Sequence, residues 1–382
     1  MIYFDNAATS LPKPPAVGQA LADAVNTLGN AGRGSHAPTL DAARMAYTVR
    51  AKIAKLINAP DPACIAFTCN ATEGLNGILQ GMFEPGDHII STESEHNSVL
   101  RPLYMLQNSG AEVSLLKLDA QGRIKQQDLE KAVGPDTKAL VLGHISNVTG
   151  NICDLKSAAA VAKKHRLLLI ADAAQSLGSF PVDVQQLGID ILCFTGHKGL
   201  LGPQGTGGVY VRPGIAVRPF KAGGSGEQSF LHTQPLEMPA VLEAGTLNAH
   251  GLAGLNAALD FILATGVDNI HKHELQLAGY FVREVSKIKQ IKLYGDFEAQ
   301  DRGAVVSLNV GTADSAVVSD ILWEDYQICV RGGIHCAPLL HESMGTARQG
   351  MVRFSFGYYN TLEEVEFAVE ALRKIAEELK CE

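Results

Sequence analysis

Long hydrophobic runs are missing from this chain. No stretch approaches the roughly 18 uninterrupted apolar residues that a membrane-spanning helix requires, which excludes such a span. Excess positive charge is missing too. Lys and Arg total 32 against 40 Asp and Glu, a net charge of −8. So acidic a surface repels phosphate backbones, and no nucleic-acid partner is expected. Paired cysteines are absent: the seven, at positions 64, 69, 153, 193, 329, 336 and 381, are odd in number and form no CxxC. That removes a disulfide framework or a zinc cluster and leaves no metal site to expect. A reducing cytoplasm is the expected setting, where a thiol with a function works as a free thiolate. The opening MIYFDNAATS has no basic segment followed by an apolar run, so no secretory leader is expected.

What is present is an ordinary globular balance, 46% apolar and 19% charged over 382 residues, a length for about two domains at roughly 150 residues each. Between about residues 60 and 212, short β-rich runs (64–68, 88–92, 112–118, 139–146, 167–173 and 190–196) alternate with helix-like stretches such as ATEGLNGILQGMF and LKSAAAVAKKHR. Continuous apolar strands between amphipathic helices predict an α/β fold with a mostly parallel sheet covered on both faces. In such sheets the chemistry sits at the carboxyl ends of strands. Beyond residue 212 the texture changes: a Gly-rich loop or hairpin at 214–229, helices near 249–265 and 268–288, a strand at 304–310, a helix at 314–325, a short strand at 327–331 and a terminal helix at 361–380. We expect an N-terminal arm over 1–14, extended because of Pro12, Pro14 and Pro15, a large domain over 15–255 and a smaller α+β domain over 256–382.

Polar residues at predicted strand ends carry the functional signal. In FTGHKGLLGPQGTGG a strand ends at Phe194 and Lys198 follows in a Gly-rich turn; in ADAAQS, Asp172 closes an apolar strand 26 residues earlier. Alone, such a lysine reads as a solvated turn residue and such an aspartate as a helix cap. Together they are the pair that pyridoxal 5'-phosphate requires: a carboxylate that keeps the pyridine nitrogen protonated and a lysine that forms the Schiff base and acts as base at Cα. NATEG, with Thr72, opens a helix and reads equally as a capping box or as an anion site for the cofactor phosphate. His96 in SEHNSVLRP can stack on a ring, move a proton or cap the next helix. Asn147 in HISNVTG is a hydrogen-bond donor at a strand end. In RGGIHCAPLL, Cys336 sits in a Gly/Pro-punctuated loop beside His335 and near Arg331, where positive charge would favour the thiolate; a structural cysteine is the bland alternative. Arg353 in MVRFSFGYYNT has the planar fork suited to an α-carboxylate.

YFDNAATS, NATEG, SEHNS, SNVTG, ADAAQS, TGHKG, EAGTLN, RGGIHCAPL and RFSFGYYNT, in this order from residue 3 to 361, make the chain resemble the cysteine desulfurase and selenocysteine lyase family, pyridoxal-phosphate enzymes of the class V aminotransferase type. The short Cys loop resembles the group II branch. The resemblance implies the type I PLP-dependent transferase fold, with a mostly parallel seven-stranded sheet and a smaller C-terminal domain, and a homodimer. It implies Lys198 as Schiff-base lysine, Asp172 on the pyridinium nitrogen, Gln175 on the ring hydroxyl and His96 stacked on the ring. Ala71, Thr72, Thr195 and His197 would hold the phosphate, with Thr246 reaching in from the other subunit. Arg353 and Asn147 would bind the substrate carboxylate, with Arg331 beside them, and Cys336 would accept sulfur.

The chain departs from the family where group II members commonly show Arg-Thr-Gly-His-His-Cys: here Ile334 removes a potential proton donor near the thiol. Arg33 and His36 only loosely match the Arg-Gly-x-His motif, and the chain begins almost at DNAAT, without the longer N-terminal helix of many relatives. These departures point to a divergent subgroup. The activity implied is conversion of L-cysteine to L-alanine with sulfur held as a persulfide on Cys336 for an acceptor protein. L-selenocysteine is the nearest alternative substrate. A PLP aminotransferase or β-lyase that does not need Cys336, and a scaffold without turnover, are the competing readings.

Overall fold

Strands that are apolar on both faces need cover on both faces, and the computed structural model supplies it. It describes residues 1–32, 34–224, 226 and 228–379. Seven strands form the central sheet in the spatial order Ile65–Thr68, Gly207–Val211, Ile191–Thr195, Leu168–Asp172, Thr137–Gly143, His88–Thr92 and Glu112–Leu116. Gly207–Val211 runs antiparallel to both neighbours, and the remaining pairings are parallel. This strand lies outside the β-rich runs read from the sequence, because GTGGVYV looks like the tail of a Gly-rich turn. Alternation along each strand feeds two cores. Leu140 and Leu142 join the core beneath helices Ala37–Leu56, Leu155–His165 and Ala249–Thr265. Val141, between them, joins the core beneath helices Ala71–Met82 and Asn97–Asn108.

The second unit is an antiparallel sheet in the order Val352–Ser355, Val305–Val310 and Ile291–Tyr294. Its core joins Val306, Leu308 and Phe354 to Phe281 of helix Val267–Val285 and to Leu372 and Ile375 of helix Leu362–Glu378. The helix Ala249–Thr265 belongs to the first core along its length, through Leu255, Leu259 and Ile262, so the expected boundary after residue 255 falls inside it. Gly266, at φ +84°, turns the chain into the next helix.

The first residues are extended, as the expected arm is, yet they are also core. Ile2–Tyr3 pairs in parallel with Ile328–Cys329, and Phe4 is fully buried with its ring centroid 5.1 Å from that of Phe356. The prolines mark a helix start instead: Pro15 is the first residue of helix Pro15–Thr27, where its missing N–H costs nothing. No single helix among the described residues is long and apolar enough to cross a membrane. Since Phe4 is enclosed by the second core, Phe4→Ala should lower unfolding free energy by about 3–5 kcal/mol in urea titration; a change near zero would show that the N-terminal strand contributes nothing to folding.

Candidate active site

The carboxyl ends of the parallel strands open into a cleft of about 610 Å³. Ala71, Thr72, His96, Asn147, Asp172, Gln175, Thr195, His197 and Lys198 all line it. Positions 71 and 198 are far apart in sequence but close here, because strands Ile65–Thr68 and Ile191–Thr195 both flank the antiparallel strand Gly207–Val211.

Asp172 ends its strand at the floor of the cleft. Its Oδ1 accepts the Ala174 N–H at 2.9 Å and its Oδ2 accepts the Ser98 hydroxyl at 3.3 Å. Burial pushes its carboxyl above the usual range, opposed by the Ala174 N–H, the Lys198 ammonium and Ser98. Burial acts on Lys198 in the opposite sense, pulling its amine down to about 8 against the opposing pull of Asp172. Both shifts have one physical origin: a poorly hydrated cleft disfavours either charge alone.

His96 both caps a helix and faces the cleft. It is the N-cap of helix Asn97–Asn108, with Nδ1 accepting the Ser98 N–H at 3.0 Å, and it lines the cleft. Because Nδ1 is an acceptor, the ring proton sits on Nε2. Burial, helped by the charges of Lys198, Arg353 and Arg101, lowers its pKa to about 4, so the ring is neutral at physiological pH. The Ser98 hydroxyl lies 2.8 Å from Nδ1 and 3.3 Å from Asp172 Oδ2, and its single proton can serve either acceptor. The sequence reading missed Ser98.

At the other end of the cleft, helix Ala71–Met82 is capped by Asn70, whose side chain accepts the Glu73 N–H at 2.9 Å. The cap is therefore Asn70, and Thr72 is left facing the cleft. The amides of the first helical turn have no intrahelical acceptor and form an anion-binding end. Beside them the Thr195 hydroxyl is buried without a hydrogen-bond partner among the described residues. The turn before Lys198 is tied to the N-terminal segment: the His197 carbonyl accepts the Ser10 N–H at 3.0 Å and the Thr9 hydroxyl at 3.1 Å. Gln175 Nε2 donates to the Ala7 carbonyl at 3.0 Å.

The mouth is built on Asp5, which the sequence reading placed only within a motif. Arg353, almost wholly buried, donates from Nη2 to Asp5 at 2.9 Å and from Nη1 to the Asn147 carbonyl at 3.0 Å. Its Nε is buried with no partner among the described residues. Arg331, half-exposed, donates to the same carboxylate through Nη2 at 2.8 Å and Nε at 3.0 Å. Cys336 is exposed and stands at the rim rather than in the lining. Its loop is pinned inward: the Asn97 N–H donates to the Cys336 carbonyl at 2.7 Å, and Asn147 Nδ2 donates to the His335 carbonyl at 2.8 Å. His335 and Cys336 are both left-handed, at φ +53° and +56°, a conformation that costs about 1–3 kcal/mol per non-glycine residue and persists only where neighbours over-determine it.

Other expectations fall outside the cleft. Thr246 is exposed and does not line it. His36 is exposed, with Nε2 3.2 Å from the Thr39 hydroxyl, and Arg33 lies outside the described residues. One further group was missed: Glu95, buried and lining the cleft, accepts the Thr92 hydroxyl at 2.6 Å and the Gly143 N–H at 2.8 Å, and burial lifts its carboxyl to about 8.

This geometry has known counterparts. The sequence model of the family Aminotransferase class-V matches residues 2–367. A probable cysteine desulfurase of Methanothermobacter thermautotrophicus is 36% identical over 98% of this chain and 94% of its own length. A cysteine desulfurase of Cronobacter sakazakii is 34% identical over 98% and 93%. Among solved structures, the apo cysteine desulfurase of Thermococcus onnurineus NA1 superposes with a TM-score of 0.92 at 33% identity, covering 98% of this chain and 94% of that one. An Escherichia coli cysteine desulfurase in an S-sulfonic acid form gives 0.88 at 33% identity, over 99% and 94%. The chain belongs to the class V aminotransferase family. Within that family, these relatives are cysteine desulfurases.

The lowered pKa of Lys198 is measurable. In the protein free of any cofactor, reductive methylation of Lys198 followed across pH should reach half its maximum near about 8, against roughly 10.4 for an exposed lysine. Asp172→Asn should move that midpoint lower still, since the carboxylate is what holds the ammonium charged; an unmoved midpoint would disprove the coupling.

Proposed function

We propose that the chain is a pyridoxal-phosphate-dependent cysteine desulfurase that turns L-cysteine and the thiol of Cys336 into L-alanine and a persulfide on Cys336. The observation that carries this reading is the thiol loop, held at the rim of the cleft by Asn97 and Asn147 and standing beside two arginines gathered on Asp5.

The cleft fits the cofactor. The orphaned Thr195 hydroxyl, the free first-turn amides of Ala71 and Thr72, and His197 would hold the phosphate. A buried carboxylate such as Asp172, paired with a protonated ring nitrogen, regains the charge that burial withholds. His96 presents a neutral ring for stacking, and Gln175 keeps its side-chain oxygen free to meet the ring hydroxyl. When bound, the cofactor supplies an electron sink for the bond cleavages at the substrate.

The protein's own residues do the rest. Arg353, with one buried N–H unused, and Asn147 bind the α-carboxylate and orient the substrate, with Arg331 at the mouth. Lys198, with a pKa of about 8, is poised to take the Cα proton near neutral pH. The Cys336 thiolate attacks the substrate sulfur. The new S–S bond forms as the C–S bond breaks, and the electron pair stays on the substrate carbon, which takes up a proton to become the alanine methyl. Thr246 is assigned to the cleft of a second copy in a homodimer, and an acceptor protein in the cytoplasm collects the sulfur.

After incubation with cysteine, mass spectrometry should find Cys336 heavier by one sulfur atom. Cys336→Ala should stay yellow with bound cofactor yet form no alanine from cysteine. Alanine production by that variant at the unaltered rate would overturn the reading.

A further inference from the structure

Behind the thiol loop lies a chain of side chains that the reaction as written does not use. His335, His341 and Thr346 are all buried. His335 Nε2 lies 3.0 Å from the Arg331 carbonyl, and its Nδ1 lies 3.3 Å from His341 Nε2. His341 Nδ1 lies 2.9 Å from the Thr346 hydroxyl. The two rings are 21° from parallel, with their centroids 5.5 Å apart.

These contacts have one consistent direction. A carbonyl oxygen only accepts, so His335 carries its proton on Nε2 and offers a lone pair at Nδ1. His341 must then donate from Nε2, which leaves its own Nδ1 as a lone pair 2.9 Å from the Thr346 hydroxyl, whose other acceptor, the His341 carbonyl, is farther at 3.4 Å. Burial supports two neutral rings, holding His335 at about 3 and His341 at about 4. The chain ends on the Arg331 carbonyl, which also accepts the Arg353 N–H at 2.8 Å. The left-handed pair that carries the thiol is thereby referenced, through one oxygen, to the backbone of both arginines at the mouth.

We infer that His341 is a positioning residue for sulfur transfer: with Thr346 it fixes the His335 ring, and the ring sets where the Cys336 thiol stands relative to Arg331 and Arg353. The inference rests on the desulfurase reading and deepens it, since it names what holds the acceptor thiol in place in a short loop that lacks a second histidine at Ile334. A donor is needed at the position of His341 Nε2, and glutamine can supply one from nearly the same place, whereas methionine fills the volume without a donor. Thr346→Val removes the far end of the chain with little change of shape, and Thr346→Ser keeps it.

The test compares two substrates on the cofactor-loaded enzyme. Cysteine needs the thiol. β-Chloroalanine does not: chloride leaves from Cβ, and hydrolysis yields pyruvate and ammonia. His341→Met should lower kcat for alanine formation from cysteine by about tenfold to a hundredfold, the effect of a small misplacement of a reacting group, while leaving pyruvate formation from β-chloroalanine unchanged. His341→Gln should recover most of the cysteine rate. Thr346→Val should lose cysteine turnover in the same selective way, and Thr346→Ser should not. Equal loss with both substrates, or undiminished cysteine turnover in both His341→Met and Thr346→Val, overturns the inference. Cys336→Ser run alongside separates the two levels: if it still forms alanine from cysteine, the desulfurase reading falls and the positioning role of His341 with it; if it does not, and His341→Met and Thr346→Val both turn cysteine over undiminished, only the positioning role falls.

Discussion

One carboxylate holds the mouth of this protein together. Asp5, in the segment after the first strand, receives Arg353 from the sheet of the second unit and Arg331 from the segment that leads into the thiol loop. Arg353 in turn reaches the Asn147 carbonyl in a loop of the first unit. Buried ion pairs are weak sources of net stability, but breaking one leaves an uncompensated charge and costs about 3–5 kcal/mol. The arrangement therefore acts as a geometric lock. It spans the first and second units, and it keeps one N–H of Arg353 buried and unspent at the site where a carboxylate is needed.

The cleft behind that lock works by selective desolvation. Low hydration moves Lys198 toward a neutral amine and His96 to a neutral imidazole, and it makes the charge of Asp172 costly without a cationic partner. Under the proposed function these shifts would give a base near neutral pH, a flat uncharged ring and a carboxylate that gains from a protonated heterocycle. The rim is wetter. Cys336 is exposed, and its loop is held through the Cys336 and His335 carbonyls by the Asn97 N–H and the Asn147 side chain.

Much of this is legible in the chain of residues. The parallel sheet follows from apolar runs separated by amphipathic helices, and the strand ends at Asp172 and Thr195 follow from where those runs stop. The lysine, the aspartate and the Cys loop can be chosen because their residue types match a known chemistry and because nine short motifs fall in one order. The antiparallel strand Gly207–Val211 is not legible, since two of its five residues are glycines that continue a Gly-rich turn. The N-terminal segment reads as an arm because prolines are a local signal, whereas the burial of Phe4 depends on strands more than 300 residues away.

Sequence alone thus determined the local matters: element types, strand exits and the reactive groups that stand on them, all governed by periodicity and residue chemistry within a few positions. Tertiary structure alone decided the relations. That Asp5 joins two arginines, that Ser98 stands between His96 and Asp172, that Asn70 rather than Thr72 caps its helix, and that Thr346, His341 and His335 align behind the thiol are facts of hydrogen-bond direction and distance. Such bonds reward groups only when they meet at about 3 Å, and which groups meet is set by how two cores pack.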